Sequence, residues 1–380
     1  MKYILSVIAF LVVLIMSTKS FALDTDVKGF IALDLATIEQ IQNKRAAIET
    51  GIGVLDLKVY ANHENMSAKF KLDLDDSNLD EPYNIFEEAT ATYKFNSSFK
   101  ATAGKGVVPF HRLHWGAMEN SYIDGGTIIG VYPYWVDVDE KIILSFNYRN
   151  QDLKFNNSFT FWGDTVQYKR NSQGDFYTTP SATTGTELTT VNSKTFRTTD
   201  EWGFANKFEF YPIKGWEFSL GGIIYDHNLN PDVSWGVDFG AGYETDKVEV
   251  WFETMHGRGS TAKFAKYSTF KKLDNTYQLG AEFYGTDLFN YVVNSEYAVI
   301  DDTQWRKDST YTKFNSSDLI NDKTKTAKLD LALKIKVAKM AHVSVGVVGE
   351  KQWRKKIYPT SVSETTTRAG QAGVKLSFWF

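Results

Sequence analysis

The stretch "QAGVKLSFWF", residues 371–380, alternates without a break: Ala372, Val374, Leu376, Phe378 and Phe380 share one parity, and Gln371, Gly373, Lys375, Ser377 and Trp379 the other. Successive side chains of a strand point to opposite faces. One face of this segment is therefore wholly apolar. The other is polar or small, with a single aromatic at its tip. A helix would require apolar residues at a 3.6-residue spacing, which is missing.

The same two-residue period recurs upstream. "SAKFKLDLD" sets Ala68, Phe70, Leu72 and Leu74 against Lys69, Lys71, Asp73 and Asp75. "AKLDLALKIK" sets Ala327, Leu329, Leu331, Leu333 and Ile335 against Lys328, Asp330, Lys334 and Lys336. "WGVDFGAGYE" sets Trp235, Val237, Phe239, Ala241 and Tyr243 against Asp238, Glu244 and glycines. Aromatics make up 15% of the chain, with 27 glycines and only 7 prolines, a mix that suits many strands and few helices.

The connections have a rhythm. Short ones fall at "ANHENM", "NSS", "RNQD", "PIKG", "ETDK", "GTD" and "VAKMA". Between them lie longer segments, at about 37–50, 76–83, 107–139, 164–199, 226–234, 257–274, 300–324 and 351–367. Strict alternation of short turns and long loops, with strands of about ten residues, is the pattern of a transmembrane β-barrel. In lipid every backbone group must be paired, so the sheet has to close. The fold expected is all-β, a closed antiparallel transmembrane barrel of sixteen strands. The alternative of eighteen takes "GTIIGVYPYW" as an added hairpin. After residue 22 no stretch of eighteen apolar residues marks a membrane-spanning helix. Phe210, Tyr211 and Trp216 beside "PIKG", Tyr243 beside "ETDK", and Phe283, Tyr284 and Phe289 beside "GTD" are placed for an interfacial aromatic girdle.

Residues 1–22 read as a secretory signal peptide. Lys2 precedes an apolar run from Ile4 to Met16, and Ser20-Phe21-Ala22 puts small residues at the cleavage positions. The remainder, 23–380, is expected to be a single barrel domain. It contains no cysteine, so an exported chain forgoes disulfides. The formal charge is −4, which becomes −6 once Lys2 and Lys19 leave with the leader, and no nucleic-acid footprint is present.

The ending "VKLSFWF" resembles the carboxy-terminal signature of bacterial outer-membrane proteins. The resemblance implies that Phe380, Phe378, Leu376 and Val374 form the signal read by the barrel-assembly machinery. It also implies an outer-membrane location, in contact with outer-membrane lipid. "AGKGVVPF" at 103–110 and "FTFWGDT" at 159–165 resemble stretches of the phosphate-selective-type sixteen-stranded porins, with His111 where that family has glycine. This resemblance implies a porin, and with it a homotrimer whose third long loop folds into the barrel.

Taking the apolar parity as outward sends Lys58, Lys69, Lys71, Asp73, Lys94, Lys328 and Lys334 inward as pore-lining residues, together with Asp56, Asp75, Glu88, Asp330 and Lys336. Sixteen strands leave an aqueous channel in which such charges stay hydrated. The third long loop, 107–139, holds Ile128, Ile129, Val131, Tyr132 and Trp135, too apolar for full exposure. Folded inward, it would bring Arg112, Glu119 and Asp124 to a constriction. The six histidines form no metal or catalytic constellation: "HRLH" lacks further ligands, and neither a phosphate-binding glycine loop nor a nucleophile elbow occurs. No enzyme, cofactor or metal is expected. The function expected is passive diffusion of small hydrophilic solutes. A substrate-selective channel or receptor, for an anion or an iron chelate, is the alternative.

Overall fold

The computed structural model describes residues 24–41, 47–73, 86–110, 141–164, 169–170, 176–177, 201–227, 234–260, 267–306, 321–358 and 360–379. The strands are β1 (Asp24–Ile41), β2 (Ala47–His63), β3 (Met66–Asp73), β4 (Phe86–Lys94), β5 (Phe99–Gly106), β6 (Lys141–Asn150) and β7 (Phe155–Asp164). A two-residue pair follows, β8 (Lys169–Arg170) and β9 (Phe176–Tyr177). Then come β10 (Glu201–Phe210), β11 (Trp216–His227), β12 (Ser234–Glu244), β13 (Val248–Ser260), β14 (Tyr267–Tyr284), β15 (Phe289–Arg306), β16 (Asn321–Ala338), β17 (Ala341–Ile357) and β18 (Val362–Trp379).

Sixteen of these form one closed antiparallel barrel, each strand bonded to its neighbours in sequence, with β8–β9 apart from it. The last strand closes the ring. Phe30 pairs with Trp379, Ile31 with Phe378 and Leu33 with Leu376. The barrel thus closes with sixteen strands and without the hairpin that eighteen would need. That segment lies outside the described residues. The small extra hairpin falls instead in the fourth long connection, between β7 and β10.

All seven short turns stand where the sequence puts them, and local side chains explain their tightness. The Asn96 Oδ1 accepts hydrogen bonds from the Ser98 and Phe99 amides at 2.8 Å. Asn150 does the same for Leu153, and the Thr245 and Thr286 hydroxyls accept from amides two and three residues on. Such side chains replace a ladder bond where the chain reverses. Gly215 sits at φ 85°, and a Cβ there would stand 2.4 Å from the Glu244 carbonyl oxygen, so "PIKG" needs its glycine.

Several long loops are shorter than expected, because the strands continue into them. β1 and β2 leave only 42–46 between them, and β17 and β18 leave only 358–361, instead of 37–50 and 351–367. β13 and β14 run into 257–274, and β15 and β16 into 300–324. The apolar period stops in these regions, as in "KQWRKK" and "SETTTRAG", yet the backbone ladder does not. Beyond the lipid both faces of a strand meet water, so pairing continues without any hydrophobic signature. A strand of eighteen residues spans about 60 Å before tilting, far more than an apolar band of about 25 Å.

Burial separates the two faces. Ile142, Leu144, Phe159, Phe161, Leu220, Ile224, Leu279, Leu329, Leu331, Val345 and Val347 lie exposed on the outer wall. The alternate positions Ser145, Thr160, Ser219, Gln278, Asn294, Lys328, Asp330 and Ser344 are buried on the inner one. Aromatic contacts collect at the short-turn end, among them Tyr93–Phe95, Phe95–Phe99, Tyr148–Phe155, Phe155–Phe208 and Trp216–Tyr243. Tyr284 departs from the expected girdle. It shares the inward parity of Gln278 and Glu282, and its hydroxyl points to the Glu249 carboxylate at 3.5 Å.

Candidate functional site

The lumen wall is the candidate site, and strand register decides what it presents. On β2 and β3, Lys58 stands opposite Lys71 and Tyr60 opposite Lys69. On β4, Glu88 stands opposite Lys71, and both its carboxylate oxygens accept hydrogen bonds from the Lys69 ammonium, at 2.7 and 2.8 Å. Lys69 is therefore ion-paired, and the patch is less basic than its lysines alone suggest. Lys94 is exposed beside the 96–98 turn, at the mouth of the barrel and not at mid-height. Asp73 pairs with Asp56 in the ladder, and the side chains of both lie outside the described residues.

On β16, Lys328 lies between Glu296 of β15 and Glu350 of β17. Asp330 follows it on the same inward face, and the Lys334 ammonium binds the Glu282 carboxylate at 2.8 Å. Glu282 also accepts from Asn290, at 2.7 Å. Gln278 donates to Asn294, which donates to Glu296. A polar network thus runs along β14, β15 and β16.

The lumen charges are unevenly distributed around the ring. β11 to β15 turn Glu217, Asp238, Glu249, Glu253, Glu282 and Glu296 inward, and on the short-turn side of the register shift at Asp274/Tyr277 the described lumen positions of these strands carry no Lys or Arg. The arc from β16 through β18 and on through β1 to β4 turns Lys328, Lys334, Lys336, Lys375, Lys28, Lys58, Lys69 and Lys71 inward, with Asp26, Glu88, Asp322, Asp330 and Glu350 among them, so this side is mixed where the other is acidic. β3 and β13 stand eight places apart in a ring of sixteen. The lysines of β3 therefore oppose the carboxylates of β13. Opposed side chains of unlike charge create a transverse field across the lumen. The acidic arc was the part missed from sequence. Its carboxylates sit singly among glycines and aromatics, so no local charge run marks them.

The inner wall also carries an apolar patch. Ile143, Trp162, Ala205, Ile223, Tyr225, Met255 and Ala298 come from β6, β7, β10, β11, β13 and β15 and pack with Val108 and Phe110. Val108 and Phe110 follow β5 directly, at the start of the third long connection, and both are buried. The first residues of that loop therefore lie against the inner wall. Its expected constriction residues Arg112, Glu119 and Asp124 lie outside the described residues. Of the positions expected to form the assembly signal, Val374, Leu376 and Phe378 lie on the outer face of β18, and Phe380 lies outside the described residues. Among the described residues no group of three or more His, Asp or Glu is placed to hold a metal.

A closed sixteen-stranded barrel with an apolar outer wall, a polar inner wall and short turns at one end defines an outer-membrane porin-type β-barrel. Solved structures agree on the fold. The anion-selective porin from Comamonas acidovorans superposes with a TM-score of 0.53 at 12% identity, covering 94% of this chain and 100% of the porin. OmpT of Vibrio cholerae in its trimer form gives 0.56 at 10% identity, over 94% and 99%. OmpF of Salmonella typhi, in complex with daunomycin, gives 0.54 at 11% identity, over 94% and 97%. No protein-family model matches the sequence, and no curated protein matches it either.

Proposed function

We propose that the chain is a passive diffusion channel for small hydrophilic solutes and ions across the outer membrane. The observation that carries this reading is the density of charged side chains on the inner wall, with the lysines of β3 across the ring from the carboxylates of β13. Charges at that density are costly inside a sealed protein interior and cheap along a wet pore. The reading includes the inward third loop as the narrowing element, supported by the seating of Val108 and Phe110 on the wall. It includes residues 1–22 as an export leader and a homotrimeric assembly. The trimer form of the Vibrio cholerae barrel, which shares the fold, supports the last. The test is reconstitution of the purified protein in planar bilayers. Stepwise conductance that scales with salt supports a diffusion channel. Full insertion without conductance refutes it, and saturable block by one solute would assign a selective channel instead.

A further inference from the structure

On three adjacent strands the outer wall changes from apolar to cationic at one height. Counting up from the short-turn end, the outward positions of β16 are Val337, Ile335, Leu333, Leu331, Leu329 and Ala327, then Lys325 and Lys323. On β17 they are Ala341, Val343, Val345, Val347 and Gly349, then Lys351, Trp353 and Lys355. On β18 they are Phe378, Leu376, Val374, Ala372 and Gly370, then Arg368. The register locks the transition together: Ala327 pairs with Lys351, and Lys351 with Arg368. One step higher, Lys325 pairs with Trp353.

Ten residues of tilted strand cover about 25 Å, the height of the apolar band of a membrane barrel. The cations therefore begin where that band ends, at the long-loop side. Lys325 and Arg368 are exposed, and the Lys351 ammonium lies 4.5 Å from the centre of the Trp353 ring. Tryptophan favours this depth because its ring is apolar and its N–H is wet. Lys355 and Lys323, opposite each other at the top of the patch, are ion-paired with Glu364 and Asp301 at 2.9 and 3.6 Å.

We propose that Lys325, Lys351 and Arg368, with Trp353, form a binding surface for a phosphate-bearing glycolipid headgroup of the outer leaflet. The surface is continuous with the lipid-facing wall, so a lipid whose chains lie along Leu329, Val347 and Val374 brings its headgroup to this height. Cations at that boundary attract anionic headgroups, and arginine grips a phosphate with two parallel hydrogen bonds. The inference rests on the outer-membrane reading and is independent of what the lumen conducts.

The test titrates the folded protein in neutral detergent with bis-phosphorylated lipid A and, separately, with its dephosphorylated form. The readout is the thermal unfolding midpoint. The expected result is a rise with the phosphorylated lipid that is lost in the triple variant Lys325→Gln, Lys351→Gln, Arg368→Gln. The rise should persist when the same charge is removed at the opposite end through Lys154→Gln, Lys214→Gln and Lys247→Gln. Equal responses of the two triple variants would overturn the proposal. So would equal responses to the two lipids, or to inorganic phosphate at the same concentration. Conductance of the unaltered protein in phosphatidylcholine bilayers decides the channel reading separately, since its absence leaves the lipid result standing.

Discussion

The Phe110 carbonyl oxygen occupies the space that a side chain at position 221 would need: a Cβ on Gly221 would stand 2.3 Å from it. Gly221 lies on the inward face of β11, between Ser219 and Ile223, both buried. The beginning of the third long connection thus rests in a notch that only glycine leaves open. Next along the strand, Gly222 faces outward, and a Cβ there meets nothing within 4 Å.

These two neighbours make a paired test of how the loop is held. Gly221→Val should dislodge Phe110 from the wall at an overpacking cost of about 1–3 kcal/mol. Gly222→Val should be near neutral. Single-channel recording is expected to give altered unitary conductance for the first variant and parental conductance for the second. If both conduct as the parent does, the seat at Gly221 has no part in setting the bore.

The facing of β16 is tested by a second pair. Leu331 is exposed on the outer wall at mid-height, whereas Lys328 is buried on the inner one. Leu331→Arg should cost about 2–4 kcal/mol in the folded, membrane-inserted state, as arginine does near a barrel's bilayer midplane. Lys328→Gln keeps a hydrogen-bonding side chain between Glu296 and Glu350, so the barrel should assemble. Denaturant unfolding in lipid vesicles measures the first, and the heat-modifiable gel shift of folded barrels the second. Equal losses for both would mean that the strand's parity is reversed.

Trp251 and Gly280 give a third test. The indole of Trp251 lies against Gly280 on the neighbouring strand, and a Cβ on Gly280 would come within 2.3 Å of its ring atoms. Gly280→Ala should push the ring off the wall, again at about 1–3 kcal/mol. The near-ultraviolet circular dichroism of the folded protein should change with it. An unchanged spectrum and unchanged stability would mean that the ring has another place to rest.

The fold was legible in the sequence because lipid imposes a strict rule. Every outward residue of "AKLDLALKIK" must be apolar, so period two survives there without noise. The tight turns were legible for a different reason, since Asn96, Asn150, Thr245 and Thr286 carry their own turn chemistry. The ends of the long strands were not legible, because above the membrane "KQWRKK" has no dry face to mark it. Nor was the pairing of Lys69 with Glu88, two residues nineteen positions apart whose meeting depends on the β3–β4 register. A parity argument can say that both point inward, but not that one neutralises the other.

That ion pair reshapes what charge substitution on β3 should do. Lys69 is already bound to Glu88, so Glu88→Gln releases a cation into the lumen without adding one. The reversal potential in a salt gradient should move toward anions. Replacing Lys69 and Lys71 together with Glu should move it toward cations, because β3 would then match the carboxylates of β13 across the ring. Lys71 stands directly opposite Lys58 on β2 and Glu88 on β4, so the double change also leaves Glu88 beside two new carboxylates. The shift should be larger at about 0.01 M salt, where the Debye length is about 30 Å, than at about 1 M, where it is about 3 Å. An assembled, conducting double variant with an unchanged reversal potential at low salt would place the selectivity of the pore away from β3.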